Sequence, residues 1–316
     1  MKRLTKTIAT AAMTACCMMA APTQAGDQIK LGVTLFSFDD NFLAVLRNSL
    51  ENAAKEAGAD YQVEDAKNEI GVQLNQIQNF IASGVDAIIV DTVDSDATQA
   101  MSDYADEAGI PLVYVGRRPI NVDFMPDNQA FVASNEDESG TLQTEEVCRL
   151  LGGKGDIVVM MGTLGDNAAM QRTADIHNVL KRPECSGLKI IEEQSADFMR
   201  TKGNDLMTNW LTAGLEFDAV IANNDEMAIG AIQALKAAGV KMDDVVIAGI
   251  DATADALTAM KAGDLDVTVF QNAAAQGAGA VEAALKLVKG EDVDQKVWVP
   301  FELVTPANMK SYMTKN

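Results

Sequence analysis

From residue 29 onward, short and wholly apolar runs alternate with longer stretches whose apolar positions return every three or four residues. The first pattern predicts buried strands and the second predicts amphipathic helices. Strands are expected over 29–35, 87–90, 112–115, 156–161, 188–192, 219–222 and 245–250. Helices are expected over 41–57, 97–108, 167–180, 202–213 and 254–262. In the helix over 41–57 the predicted core stripe is Phe42, Val45, Leu46, Ala53 and Ala57. Glycine marks the ends of these units at Gly58, Gly84, Gly109, Gly152, Gly214, Gly239, Gly263 and Gly290, because it accepts the left-handed cap conformation that side chains resist. Strand and helix units alternating at this length imply an α/β protein with parallel, doubly wound sheets.

The stretch 218–235, DAVIANNDEMAIGAIQAL, shows the pattern in its most compact form. Four apolar residues run into the polar corner Asn223, Asn224, Asp225 and Glu226, which caps a helix carrying Met227, Ile229, Ile232 and Leu235 on its apolar face. Such corners lie at the carboxyl ends of strands, where open α/β sheets bind their ligands. Similar corners recur around 36–40, 117–118, at Asp251 and at Gln271. They come from both halves of the chain, which suits a cleft between two domains.

Residues 1–25 read as an export signal. Lys2, Arg3 and Lys6 are followed by an apolar run over 8–21 and by a small-x-small cleavage site ending at Ala25. Lipoprotein processing at Cys16 is the alternative, although Met13 is a poor start for that motif. The run is too short for a comfortable membrane span. Loss of the signal removes three basic and no acidic residues, taking the net charge from −21 to −24. So acidic a chain is repelled by nucleic acid and by anionic lipid. About 290 mature residues suit two domains. Cys148 and Cys185 remain after cleavage, and one pair in an exported chain fits either a disulfide or two buried thiols.

Chemistry is harder to place. The single histidine, His177, lies inside a predicted helix, so neither a zinc site nor a Ser-His-Asp triad is supported. The first strand is followed by no phosphate-cradling glycine motif, and GTLGD at 162–166 has neither the spacing nor the lysine of one.

Four motifs, ADFMRTKG at 196–203, NNDEMAIGA at 223–231, AGIDATAD at 248–255 and TVFQ at 268–271, are specific in this order. With them, residues 29–304 resemble the ribose-type periplasmic binding proteins that feed ABC importers. The resemblance implies the type I periplasmic binding protein fold, two doubly wound domains joined by a three-strand hinge. Its lobes would be 26–134 with 272–298, and 135–271 with 299–316. The crossings would fall near Ser134, at 271–272 and at 298–300. It also implies a monomer without cofactor or metal, serving a permease and compatible with presentation to a chemoreceptor. A sugar-responsive transcriptional regulator shares this fold, but would carry a DNA-reading helix pair where the export signal lies.

Carried across by position, the ligand contacts would be Phe36, Asp40, Phe42 and Arg117 from the first domain, and Arg172, Phe198, Asn224, Asp251 and Gln271 from the second domain and hinge. Carboxylates, guanidinium groups and amides suit ring hydroxyls, while phenyl rings cover C–H faces. Asn224 and Asp251 equally suit cap or turn duty, and Phe198 suits a core. Ribose binders carry Asp just before the first-domain arginine, where this chain has Gly116. FDDNF at 38–42 and RRP at 117–119 look instead like the inositol- and rhizopine-binding branch. That points to a cyclitol, with Asp40 able to accept either hydroxyls or an amine, and leaves an aldose such as ribose as the alternative.

Overall fold

The computed structural model describes residues 28–315, so the export-signal expectation and Cys16 lie outside the described residues. The chain first lays down β1 (Lys30–Leu35), α1 (Asn41–Glu56), β2 (Asp60–Asp65), α2 (Ile70–Ser83), β3 (Ala87–Val90), α3 (Thr98–Ala108), β4 (Leu112–Val115) and β5 (Gln129–Ala133). It continues through α4 (Glu136–Leu150), β6 (Lys154–Met161), α5 (Asn167–Leu180), β7 (Gly187–Ser195), α6 (Arg200–Thr212) and β8 (Ala219–Ala222). Then come α7 (Asp225–Ala237), β9 (Val246–Ala248), α8 (Ala254–Ala262), β10 (Thr268–Phe270), α9 (Ala273–Val288), β11 (Lys296–Trp298) and β12 (Glu302–Val304).

Two sheets result. The first has the order β11-β5-β4-β3-β1-β2, and the second β7-β6-β8-β9. Every pairing within them is parallel, whereas β10 and β12 form a separate antiparallel pair. The chain leaves the first sheet after Ala133, returns to it after Phe270 and leaves again after Trp298.

The period-two geometry of a strand explains both cores. In β3, Ala87 and Ile89 face a cluster with Leu46 and Leu50 of α1 and Ala280 and Ala284 of α9. Ile88 and Val90 face the other way, onto Ile77, Phe80, Met101 and Ala105 of α2 and α3. The second sheet repeats this: Val158 and Val220 meet α6, α7 and α8, while Val159 and Ile221 meet Val147, Ile176 and Val179 of α4 and α5. Burial on both faces is why these strands read as unbroken apolar runs.

Some details differ from the sequence reading. Helix α1 fully buries Leu46 of the predicted stripe together with Leu43, Leu50 and Ala54; Phe42, Val45 and Ala53 pack partly buried against the same core, and only Ala57 of the stripe is exposed. Phe42 serves both expectations, packing partly buried against that core and lining the cavity wall. The strand expected over 245–250 shortens to Val246–Ala248, and the one over 188–192 lengthens to Gly187–Ser195. Strand β2 escaped notice because it is a polar edge strand, and α2 because its buried side chains include Gln73 and Gln76.

Cys148 and Cys185 are joined by a disulfide with Cα atoms 5.6 Å apart. It ties the end of α4 to the turn after α5. Closing a 37-residue separation restricts the unfolded chain, an effect worth roughly 2–4 kcal/mol. Urea denaturation with and without reductant is expected to show a loss of that order, and thiol titration of unreduced, unfolded protein is expected to find neither cysteine free.

Candidate functional site

A cavity of about 650 Å³ opens between the carboxyl ends of the two sheets. All nine residues expected to contact ligand line it: Phe36, Asp40, Phe42, Arg117, Arg172, Phe198, Asn224, Asp251 and Gln271. Phe36, Asp40 and Phe42 come from the β1–α1 corner, and Arg117 follows β4. Asn224 follows β8, Asp251 follows β9 and Gln271 follows β10.

The two guanidinium groups are already engaged. Arg117 lies flat over Phe36, 3.6 Å from the ring centre. It donates to the carbonyls of Thr92 and Val93 at 3.2 and 3.0 Å and pairs with Asp166 at 3.2 Å. Arg172 is only 4% exposed. It grips Glu136 with two bonds of 2.9 and 3.0 Å, and donates to the Asn223 carbonyl at 2.7 Å and to Gln271 Oε1 at 3.1 Å. Burial opposes the Arg172 charge, but the Glu136 carboxylate overcomes that and holds its pKa above the ordinary value.

Cap duty and cavity lining turn out to be compatible. Asn224 Oδ1 accepts from the Met227 N–H at 3.0 Å, and its amide donates to the Phe198 carbonyl at 3.2 Å. Asp40 caps α1 through the Leu43 N–H at 3.0 Å. Phe198 and Asp251 both sit at positive φ, 62° and 123°, a conformation that costs a residue with a side chain free energy. A side chain at Gly162 would collide with the Phe198 ring, so glycine there makes room for it.

Sequence reasoning missed Asp91, Glu136 and Asp166, which line the same cavity. Asp91 directly follows β3, so the corner rule that singled out Asn224 also points to it. Its backbone is held by Gln73, which donates to the Asp91 carbonyl at 2.9 Å and accepts from the Val93 N–H at 2.8 Å. The Asp91 carboxylate lies 3.4 Å from where a Cβ at Gly116 would stand. The neighbourhood of position 116 thus has a carboxylate after all, delivered from the adjacent strand.

The periplasmic binding protein domain model matches residues 31–292. This chain belongs to the periplasmic binding protein family. It is 62% identical to a candidate rhizopine-binding protein of Rhizobium meliloti over 90% of this chain and 93% of the relative. A ribose import binding protein of Bacillus subtilis is 29% identical over 93% and 94% of the two chains. Among solved structures, an ABC transporter solute-binding protein of Bacillus halodurans with bound myo-inositol superposes with a TM-score of 0.86. It shares 42% identity, over 92% of this chain and 98% of that one. A Caulobacter myo-inositol binding protein bound to myo-inositol gives a TM-score of 0.82 at 27% identity, over 90% and 96% of the two chains.

Removing Arg172 would leave the largely buried Glu136 carboxylate without its cationic partner, with only Ser139 Oγ among the described residues still donating to it. Arg172→Ala is therefore expected to lower stability by roughly 3–5 kcal/mol, measured by urea denaturation, in addition to any loss of binding.

Burial pushes Asp91 from the ordinary 3.8 up to about 7, although the Arg117 charge and backbone N–H favour its ionised form. The folded state thus holds this proton after the unfolded state has released it. Its contribution to stability falls as pH rises from about 4 to about 7 and is level above that. Asp91→Asn is expected to raise the melting temperature at pH 8 and to leave it nearly unchanged at pH 4, as checked by thermal denaturation.

Proposed function

We propose that this protein is an exported solute receptor that captures a cyclic polyol between its two lobes and delivers it to an ABC permease. The observation that carries the reading is the cavity itself. Carboxylates, guanidinium groups and amides alternate with Phe36, Phe42 and Phe198 around a space of about 650 Å³, so donors and acceptors suit ring hydroxyls while phenyl rings suit C–H faces. The identity with the Rhizobium meliloti relative and the myo-inositol in the Bacillus halodurans structure support a cyclitol. The nine lining residues become its contacts, with Asp40 and Asp251 accepting hydroxyls and Arg117 and Arg172 orienting them.

The lobes are taken as 26–134 with 272–298, and 135–271 with 299–316, and the signal over 1–25 as the export device. Contacts already join the mouth of the cleft: Asn41 donates to Glu226 at 2.9 Å and Arg117 reaches Asp166 at 3.2 Å. Ligand bridging both lobes would favour this closed arrangement, a form as suitable for a chemoreceptor as for a permease. No group is assigned a catalytic step, in keeping with relatives that are solute-binding proteins.

An aldose is the second reading, favoured by the ribose import relatives that match almost the whole chain. A thermal-shift panel of inositol isomers, inosamines, pentoses and hexoses separates the two. A cyclitol at a hundredfold excess over Kd is expected to add about 2.7 kcal/mol of apparent stability. A shift with ribose and none with any cyclitol would replace this reading by the second.

A further inference from the structure

Eight carboxylates and four cationic side chains are found among the described residues that line the cavity, so acidic groups are in excess. They come from both sides of the cleft: Asp39 and Asp40 lie at the start of α1, while Asp166 and Glu226 lie at the starts of α5 and α7. Bringing the two sides together presses like charges against each other. The effect shows at Asp40, whose carboxyl is pushed up chiefly by burial and further by the Glu226 charge facing it across the cleft. A closed form therefore needs donors at the rim that offset the repulsion.

Asn41 is such a donor. It is the first residue of α1, it is exposed, and it is not among the residues that line the cavity. Its amide nitrogen donates to Glu226 Oε1 at 2.9 Å and, more weakly, to Asp255 Oδ2 at 3.5 Å. Both acceptors are fixed from behind by Arg200, which donates to Glu226 at 2.7 and 2.8 Å and to Asp255 at 2.7 Å. The first turns of α6, α7 and α8 thus present a ready-made pair of carboxylates. A side-chain amide has two N–H groups to offer such a pair and adds no charge of its own. A hinge motion that parts the lobes breaks these bonds and leaves the Arg200 cluster whole.

We propose that Asn41 is a latch that sets the affinity of this receptor for all its ligands without touching any of them, by stabilising the closed form alone. The proposal rests on the receptor reading above, in which ligand is held between two closing lobes, and not on which polyol is bound. A residue that favours only the closed form raises every apparent affinity by one common factor. A ligand contact would instead affect ligands unequally, according to the hydroxyl each presents to it.

Calorimetric and stopped-flow binding of myo-inositol and scyllo-inositol to wild-type protein and to Asn41→Ala tests it, together with urea denaturation of both proteins without ligand. Asn41→Ala is expected to weaken both inositols by the same factor, about three- to tenfold, mainly through faster dissociation. Its unliganded stability is expected to match that of wild type, because the open form lacks the bonds that the substitution removes. The proposal is overturned if Asn41→Ala binds both inositols as wild type does. It is overturned equally if the two inositols lose affinity by unequal factors, which would make Asn41 a ligand contact. A fall in unliganded stability that matches the fall in affinity would also overturn it, by making Asn41 a structural support of α1. Wild-type protein that binds ribose and neither inositol removes the cyclitol reading alone, and the same loss is then expected for ribose. Wild-type protein that binds none of the three removes the receptor reading, and the proposal with it.

Discussion

Four separate segments meet on the buried guanidinium of Arg172. Glu136 comes from the first turn of α4, the Asn223 carbonyl from the end of β8, and Gln271 from the segment that carries the chain out of β10, while Arg172 itself belongs to α5. Taking such a charge out of water costs several kcal/mol, and only a full set of partners offsets it. None of the four segments can shift without leaving a polar group unpaired. The cavity wall contributed by the second sheet is thereby held in place before any ligand arrives, which reduces what binding must spend on ordering it.

The strained corners belong to the same arrangement. Asp197 and Phe198 adopt positive φ in succession, as do Asp251 and Ala252. The surrounding bonds hold them there. Ser195 and Lys202 bind the Asp197 carboxylate, and Asp225 takes the Thr253 N–H at 2.9 Å just past the second corner. Asp225 also accepts from Thr268 at 2.7 Å. Burial pushes Asp225 up to about 7, so free energy is spent at this corner too. Both strained corners deliver a cavity residue, Phe198 in one case and Asp251 in the other. Strain concentrated at a ligand cleft, and supported from behind, is how a fold aims side chains that a relaxed turn would point elsewhere.

Much of this was legible in the chain itself, for identifiable reasons. Strands buried on both faces announce themselves as apolar runs, and glycines at left-handed caps mark where helices stop, as Gly84 and Gly109 do here. The corner rule led to Asn224 and Asp251 because polar residues directly follow those runs. Strand β2 and helix α2 were harder, since an edge strand alternates with polar residues and α2 turns Gln73 and Gln76 inward for hydrogen bonds instead of apolar packing. Glu136 and Asp166 were invisible for a different reason. Each looks like an ordinary acidic residue at a helix start, and only the fold brings Arg172 to one and Arg117 to the other.

The excess of carboxylates also bears on which ligands the cavity refuses. Three arginines in a sugar-sized pocket suggest, by composition alone, an appetite for phosphate or carboxylate groups. Their geometry argues otherwise, because Arg172 has donors committed to Glu136, Asn223 and Gln271, Arg117 to Asp166 and two carbonyls, and Arg200 to Glu226 and Asp255. An entering anion would have to displace those partners and would face Asp166 and Glu136, the carboxylates that Arg117 and Arg172 already hold. Specificity is a difference of affinities, and repulsion contributes to it as directly as attraction does. A phosphorylated sugar or a sugar acid would thus have to compete with those carboxylates for the same guanidinium donors. Within the cavity wall, Arg172 holds Glu136, while Arg117 holds Asp166 and covers the Phe36 ring.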